Sequence, residues 1–134
     1  MIDLEENYAQ LLAADAQCFV VFQSEKETLQ EVYAEKRPPF TYICDPSMAL
    51  YRQFEIGDQD RRYSDPVLDA KKAANKEKMA ALGLVHGKYE GNEEQAPACF
   101  ILDKDMNVVY SHYGINSVDV PYVAELAELV GKLG

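Results

Sequence analysis

The chain lacks any apolar run approaching the roughly 18 residues that a membrane span needs, and no charged-then-apolar start resembles a secretory signal. A cytoplasmic chain with no membrane partner is therefore expected. Cysteine is scarce. Cys18, Cys44 and Cys99 are three, an odd number, far apart and each in an apolar stretch, with no C-x-x-C and no Cys/His cluster. That excludes a disulfide framework and a zinc knuckle and leaves buried, reduced thiols. Histidine is scarcer still, and His86 and His112 are not spaced as a metal pair. No Gly-rich phosphate loop, Ser-His-Asp order or pair of catalytic carboxylates occurs, so neither a metal nor a cofactor is expected. Basic residues number 13 against 23 acidic ones, which argues against nucleic acid as a partner. Only residues 52–88 run the other way, with a slight basic excess that fits a solvated, lysine-bearing helix.

What is present is enough for one domain of 134 residues, 48% of them hydrophobic. The stretch Gln95–Gly114 organises the rest. It predicts a strand over Ala98–Leu102, a polar turn over Asp103–Asn107 and a second strand over Val108–Tyr113. The first of these is continuously apolar, which suits a strand covered on both faces. Pro97 stands at its start, where a residue without an N–H is tolerated. These residues leave open whether Ala96–Pro97 is cis.

Upstream, Leu4, Tyr8, Leu11 and Leu12 predict an amphipathic first helix. A buried strand is expected over Cys18–Gln23. Ser24, with Glu27 as its capping-box partner, would start a helix through Lys36 with Leu29, Val32 and Tyr33 inward, stopped by Pro38 and Pro39. Phe40–Cys44 predicts the next strand, parallel to and beside the first. Asp45-Pro46 would then cap a helix carrying Met48, Tyr51 and Phe54. After the polar loop Gly57–Ser64, Asp65-Pro66 would start a longer helix with Leu68, Ala74, Met79 and Leu82 inward, ended by Gly83. A Gly-containing loop over 86–94 leads to the hairpin. Pro121 would open a last helix with Tyr122, Val123, Leu126, Leu129, Val130 and Leu133 on its apolar face. The order α-β-α-β-α-α-β-β-α implies an α/β fold: a mixed sheet covered by helices on both faces.

That order, with VVFQSEKETL, PFTYICDPSMALYRQFEI and HGKYEGNEEQAPACFILDKDMNVVYSHYG in sequence, resembles the peroxiredoxin-like proteins of the alkyl hydroperoxide reductase and thiol-specific antioxidant (AhpC/TSA, redoxin) family. The resemblance implies a thioredoxin-like fold over 1–134 that lacks its first, central strand. It implies family-level thiol-dependent peroxide or disulfide reduction, a thiol reductant as partner, and Pro97 as a cis-proline facing the redox site. It also implies that the peroxide-reactive cysteine, at a helix start after the missing strand, would lie before Met1. No catalytic residue is then expected in the chain, and peroxide reduction is expected to be absent.

Peroxide attack needs a thiolate favoured by a helix N-terminus or a nearby cation. Cys18 and Cys99 are expected to be structural. Cys44 is expected to be structural as well, but it is the candidate thiol of the three, since its strand ends on the same rim as Pro97, on the order of 10 Å from the redox position at ordinary strand spacing. Gln23, Ser24, Asp45, Ala96 and Pro97 would line that rim, at the carboxyl ends of the strands, where open α/β sheets bind ligands; Ser24 and Asp45 could equally serve as helix caps alone. His112 alternates with Tyr110 and is expected to be a surface or partner-facing residue. The missing strand would expose two sheet edges. Either the halves pair directly, or a second copy completes the fold as a homodimer. The alternative reading is a non-catalytic, self-associating interaction module.

Overall fold

The computed structural model describes residues 2–83 and 91–133. The nine predicted elements are found in the predicted order: α1 (Ile2–Ala13), β1 (Phe19–Phe22), α2 (Lys26–Val32), β2 (Thr41–Cys44), α3 (Ala49–Gln53), α4 (Pro66–Ala81), β3 (Ala98–Leu102), β4 (Val108–Tyr113) and α5 (Val123–Leu133). They form two compact units, one of Met1–Leu50 with Pro121–Gly134, the other of Tyr51–Val120. Where a single mixed sheet was expected, the described residues form two two-stranded sheets, β1–β2 and β3–β4. Each pair is the product of one local connection, a crossover in the first case and a hairpin in the second.

In the first unit, β1 and β2 are parallel neighbours, as expected, with Phe19 opposite Thr41 and Phe22 opposite Cys44. Alternation sends Val20, Phe22 and Tyr42 to a core made by Tyr8 and Leu11 of α1, Phe40, and Val123 of α5. Tyr33 stacks on Tyr42 at 5.7 Å, extending that core. The buried Tyr8 ring keeps its polar end satisfied, its hydroxyl oxygen accepting from the Cys18 N–H at 3.0 Å. The opposite face of the sheet leaves Phe19 59% and Ile43 37% exposed, so cover on both faces does not hold for these strands.

Helix α1 ends with Asp15 in the left-handed region at φ 58°, where glycine is commoner. Ala16 N–H bonds to Leu11 O and Asp15 N–H to Leu12 O, closing the last turn in the Schellman pattern. Leu12 is exposed and does not join the buried stripe. Helix α2 starts later and ends sooner than expected. Its N-cap is Glu25, not Ser24, without a side-chain capping bond, and it stops at Val32, well before Pro38. Leu29 is buried there but Val32 is exposed. Tyr122, which precedes α5, and Leu133, its last residue, were expected on the apolar face of the last helix and are also exposed.

In the second unit, Asp65 and Pro66 start α4 as the sequence requires, with the Asp65 carboxylate accepting from Leu68 N–H at 2.8 Å. Gly83, at φ 69°, follows the C-cap Leu82. Ala74 and Leu82 are exposed rather than inward. The hairpin spans are as predicted, but β3 is half-buried along Ala98–Ile101 and exposed at Leu102, not covered throughout. Its turn is built by Asp103, whose carboxylate accepts from the Asp105 and Asn107 N–H groups at 2.9 Å each. Phe100 packs against Phe54 at 4.8 Å and Tyr113 at 5.4 Å, and the Tyr113 hydroxyl donates to Phe54 O.

The stretch after α3, expected to be a loop, does more than connect. Ala96 N–H bonds to Gly57 O and Gln59 N–H to Glu94 O, and the Gln95 side-chain amide reaches Ile56 O and Gly57 O. Arg61 pairs with Glu94 on the outside of this ladder. Residues 56–60 therefore hold the chain just ahead of Pro97.

Candidate active site around Pro97

Of the rim residues expected from the sequence, Gln23, Ser24 and Asp45 gather at the carboxyl ends of β1 and β2, where Asp45 N–H bonds to Phe22 O at 2.8 Å. Asp45 is buried. Its carboxylate accepts from Ala49 N–H at 3.1 Å and Leu50 N–H at 2.9 Å. Pro46 sits in a turn and Met48 at φ 62°, so Asp45 reaches forward to the start of α3 instead of standing next to it. Met48 therefore precedes that helix, and Phe54 follows its last residue. Asp45 serves as a helix cap here, and its oxygens are occupied.

Ala96 and Pro97 belong to the other unit. Ala96 is buried, and the Ala96–Pro97 bond is trans, in contrast to the cis bond implied by the resemblance. Ala96 N–H is bonded to Gly57 O, which ties down the backbone before the proline. Pro97 O accepts from Gly114 N–H at 2.8 Å, extending the hairpin by one pair beyond Ala98 and Tyr113. Gly114 is required by space. A Cβ there would lie 2.6 Å from Asp119 O, 2.7 Å from Pro97 Cγ and 2.9 Å from Pro97 O.

Asp119 closes this corner. One of its carboxylate oxygens accepts from Ile115 N–H at 2.8 Å, and the other lies 3.0 Å from Nε2 of His112. The same Nε2 is 3.1 Å from Asp119 O. A nitrogen facing a carbonyl and a carboxylate oxygen must carry the proton, so the neutral ring keeps its lone pair on Nδ1. His112 is thus a half-buried, oriented imidazole, where a surface or partner-facing residue was expected. Its signal in the sequence is weak, the alternation with Tyr110, because the Asp119 partner lies beyond the strand. His86 lies outside the described residues.

The three cysteines are all thiols. Cys18 precedes β1, Cys44 closes β2 and Cys99 is the second residue of β3, so none stands at a helix start. Burial pushes the Cys18 thiol pKa up, away from the thiolate. Among the described residues, no helix is long and apolar enough to cross a membrane.

Residues 3–116 match the family described as AhpC/TSA antioxidant enzyme. The chain belongs to that family. Neither a curated protein nor a solved structure matches it. An AhpC/TSA chain whose corner at Pro97 is built by Gly114, Asp119 and His112 has an ordered polar group beside the segment that the resemblance assigns to the redox site.

Proposed function

We propose that this chain is a peroxiredoxin-like AhpC/TSA protein, a thiol oxidoreductase by family, that does not itself turn over peroxide. One observation carries the reading: in a chain matching the family over 3–116, none of Cys18, Cys44 and Cys99 occupies a helix start. Attack on an O–O bond needs a stabilised thiolate, which a helix N-terminus or a neighbouring cation supplies. The reading takes 1–134 as one cytoplasmic thioredoxin-like domain lacking the family's central strand, with Gln23, Ser24, Asp45, Ala96 and Pro97 as its redox-site rim. A peroxidase assay with thioredoxin or dithiothreitol as reductant tests it, and no turnover above buffer is expected. Robust turnover that is abolished in Cys44→Ser would overturn it and make Cys44 the reacting thiol.

A second reading is supported by the exposed Phe19 and Ile43 on β1–β2 and by the single strand neighbour that β1 and β3 each have among the described residues. It is a non-catalytic module that associates with a second copy through its sheet edges. Sedimentation at micromolar concentration separates the two, a monomer ruling out the self-associating version.

A further inference from the structure

The hairpin register carries a second consequence. Leu102 faces Val108, and continuing that spacing would set Cys99 opposite Ser111. A register shift between Ile101 and Leu102 intervenes, and Cys99 instead faces His112. Such bulges re-aim side chains along a strand. Because Pro97 O accepts from Gly114 N–H, that pair is a hydrogen-bonded one, and the alternation of an antiparallel ladder makes Cys99 and His112 the next pair of the same kind. Directly opposed residues share a face, with Cβ atoms about 4.5–5.5 Å apart. Cys99 and His112 therefore stand side by side on the face that carries Pro97 and Gly114, and Asp119 holds the far nitrogen of the imidazole.

We infer that Cys99, His112 and Asp119 form a thiol, base and positioning group, and that Cys99 is the chain's exchange-competent thiol toward low-molecular-weight disulfides. Asp119 engages Nε2, which leaves Nδ1 as the nitrogen available to the thiol that the register sets beside the ring. A nucleophile beside a base that a third group orients is the arrangement that activates Cys in unrelated folds.

In the step proposed, His112 Nδ1 takes the Cys99 proton and the thiolate attacks one sulfur of the disulfide. A new S–S bond forms at Cys99 as the old one breaks. The departing sulfur leaves with the electron pair and takes the proton back from His112, so Cys99 is oxidised to a mixed disulfide and the reagent is reduced by one thiol. This goes beyond the peroxide reading and does not depend on it, since no O–O bond is involved.

The test uses the intact protein with dithiodipyridine, followed by absorbance, with peptide mapping to locate the labelled cysteine. Cys99 should be labelled first, roughly tenfold faster than Cys18 or Cys44 near pH 7, with a pH–rate profile displaced below that of an ordinary thiol. His112→Gln should slow Cys99 about tenfold and return the profile to the ordinary thiol range, and Asp119→Asn should do so in part. Labelling of Cys99 no faster than the other two, or an ordinary profile in the unaltered protein, overturns the inference. That profile is decisive even if the His112 variant fails to fold. Peroxide turnover, if the assay found it, would leave these labelling rates as the measure of the Cys99 inference, so the two readings fail separately.

Discussion

The carboxylate of Asp3, in the first turn of α1, accepts a hydrogen bond from the backbone N–H of Val123, the first residue of α5, at 2.7 Å. A helix leaves its leading N–H groups without internal partners, and a carboxylate there satisfies both the hydrogen bond and the helix dipole. The cap of the last helix is thus supplied by the first. Asn7 donates to the other Asp3 oxygen at 2.9 Å and fixes the carboxylate in place.

Asp3→Ala should lower stability by about 1–2 kcal/mol, while Asp3→Asn, which keeps an acceptor oxygen, should lose less. Urea unfolding of the two variants beside the parent chain reads this directly. Equal midpoints for all three would show that the bond contributes nothing net.

Gly114→Ala should cost about 1–3 kcal/mol, the usual range for forcing an added methyl into filled space. Its Cβ would meet Asp119 O and Pro97 at under 3 Å, and all three contacts include or adjoin backbone that cannot swing away. Thermal unfolding measures the loss. An unchanged midpoint would mean that the corner opens freely, and it would also undermine the fixed His112.

Acid should weaken the chain in a defined direction. Asp103 and Asp65 have carboxyl pKa values held below the ordinary Asp value, chiefly by the Asn107 and Leu68 N–H groups respectively, and the Glu94 value is lowered first by its bond to Arg61. A carboxyl whose folded pKa is depressed contributes stability that is present above its unfolded pKa and lost as pH falls through the folded one. Stability should therefore hold near neutrality and fall below about pH 4.5, where the unfolded Glu and Asp side chains begin to take up protons ahead of the folded ones. Urea midpoints at pH 7, 5 and 3 check this, and Asp103→Asn should flatten part of the fall. A midpoint that rises on acidification would contradict the assignment.

What the sequence disclosed was local. Ala98–Leu102, Asp103–Asn107 and Val108–Tyr113 were legible because proline, turn residues and β-branched runs mark their own boundaries, and Asp65, Pro66 and Gly83 bracketed α4 for the same reason. Ser24 misled because Ser and Glu three residues apart satisfy a capping box in any chain, whereas the helix here begins at Lys26. Leu12, Val32 and Leu82 misled because periodicity fixes a helix face but not where the neighbouring element stops covering it. The site was harder. His112 opposite Cys99 depends on one extra residue in a strand, and Asp3 on Val123 joins positions that no window along the chain contains. The segment Gly57–Asp60 read as a loop because its partners, Glu94–Ala96, lie far downstream.

The unit holding Asp3 and Val123 is assembled from Met1–Leu50 and Pro121–Gly134, whereas the unit around Pro97 is one uninterrupted length of chain. Multidomain chains ordinarily fold from the amino end as they leave the ribosome. Here residues 1–50 need residues 121–134 to complete their unit, so on a nascent polypeptide the hairpin unit, residues 51–120, is the one able to close without them.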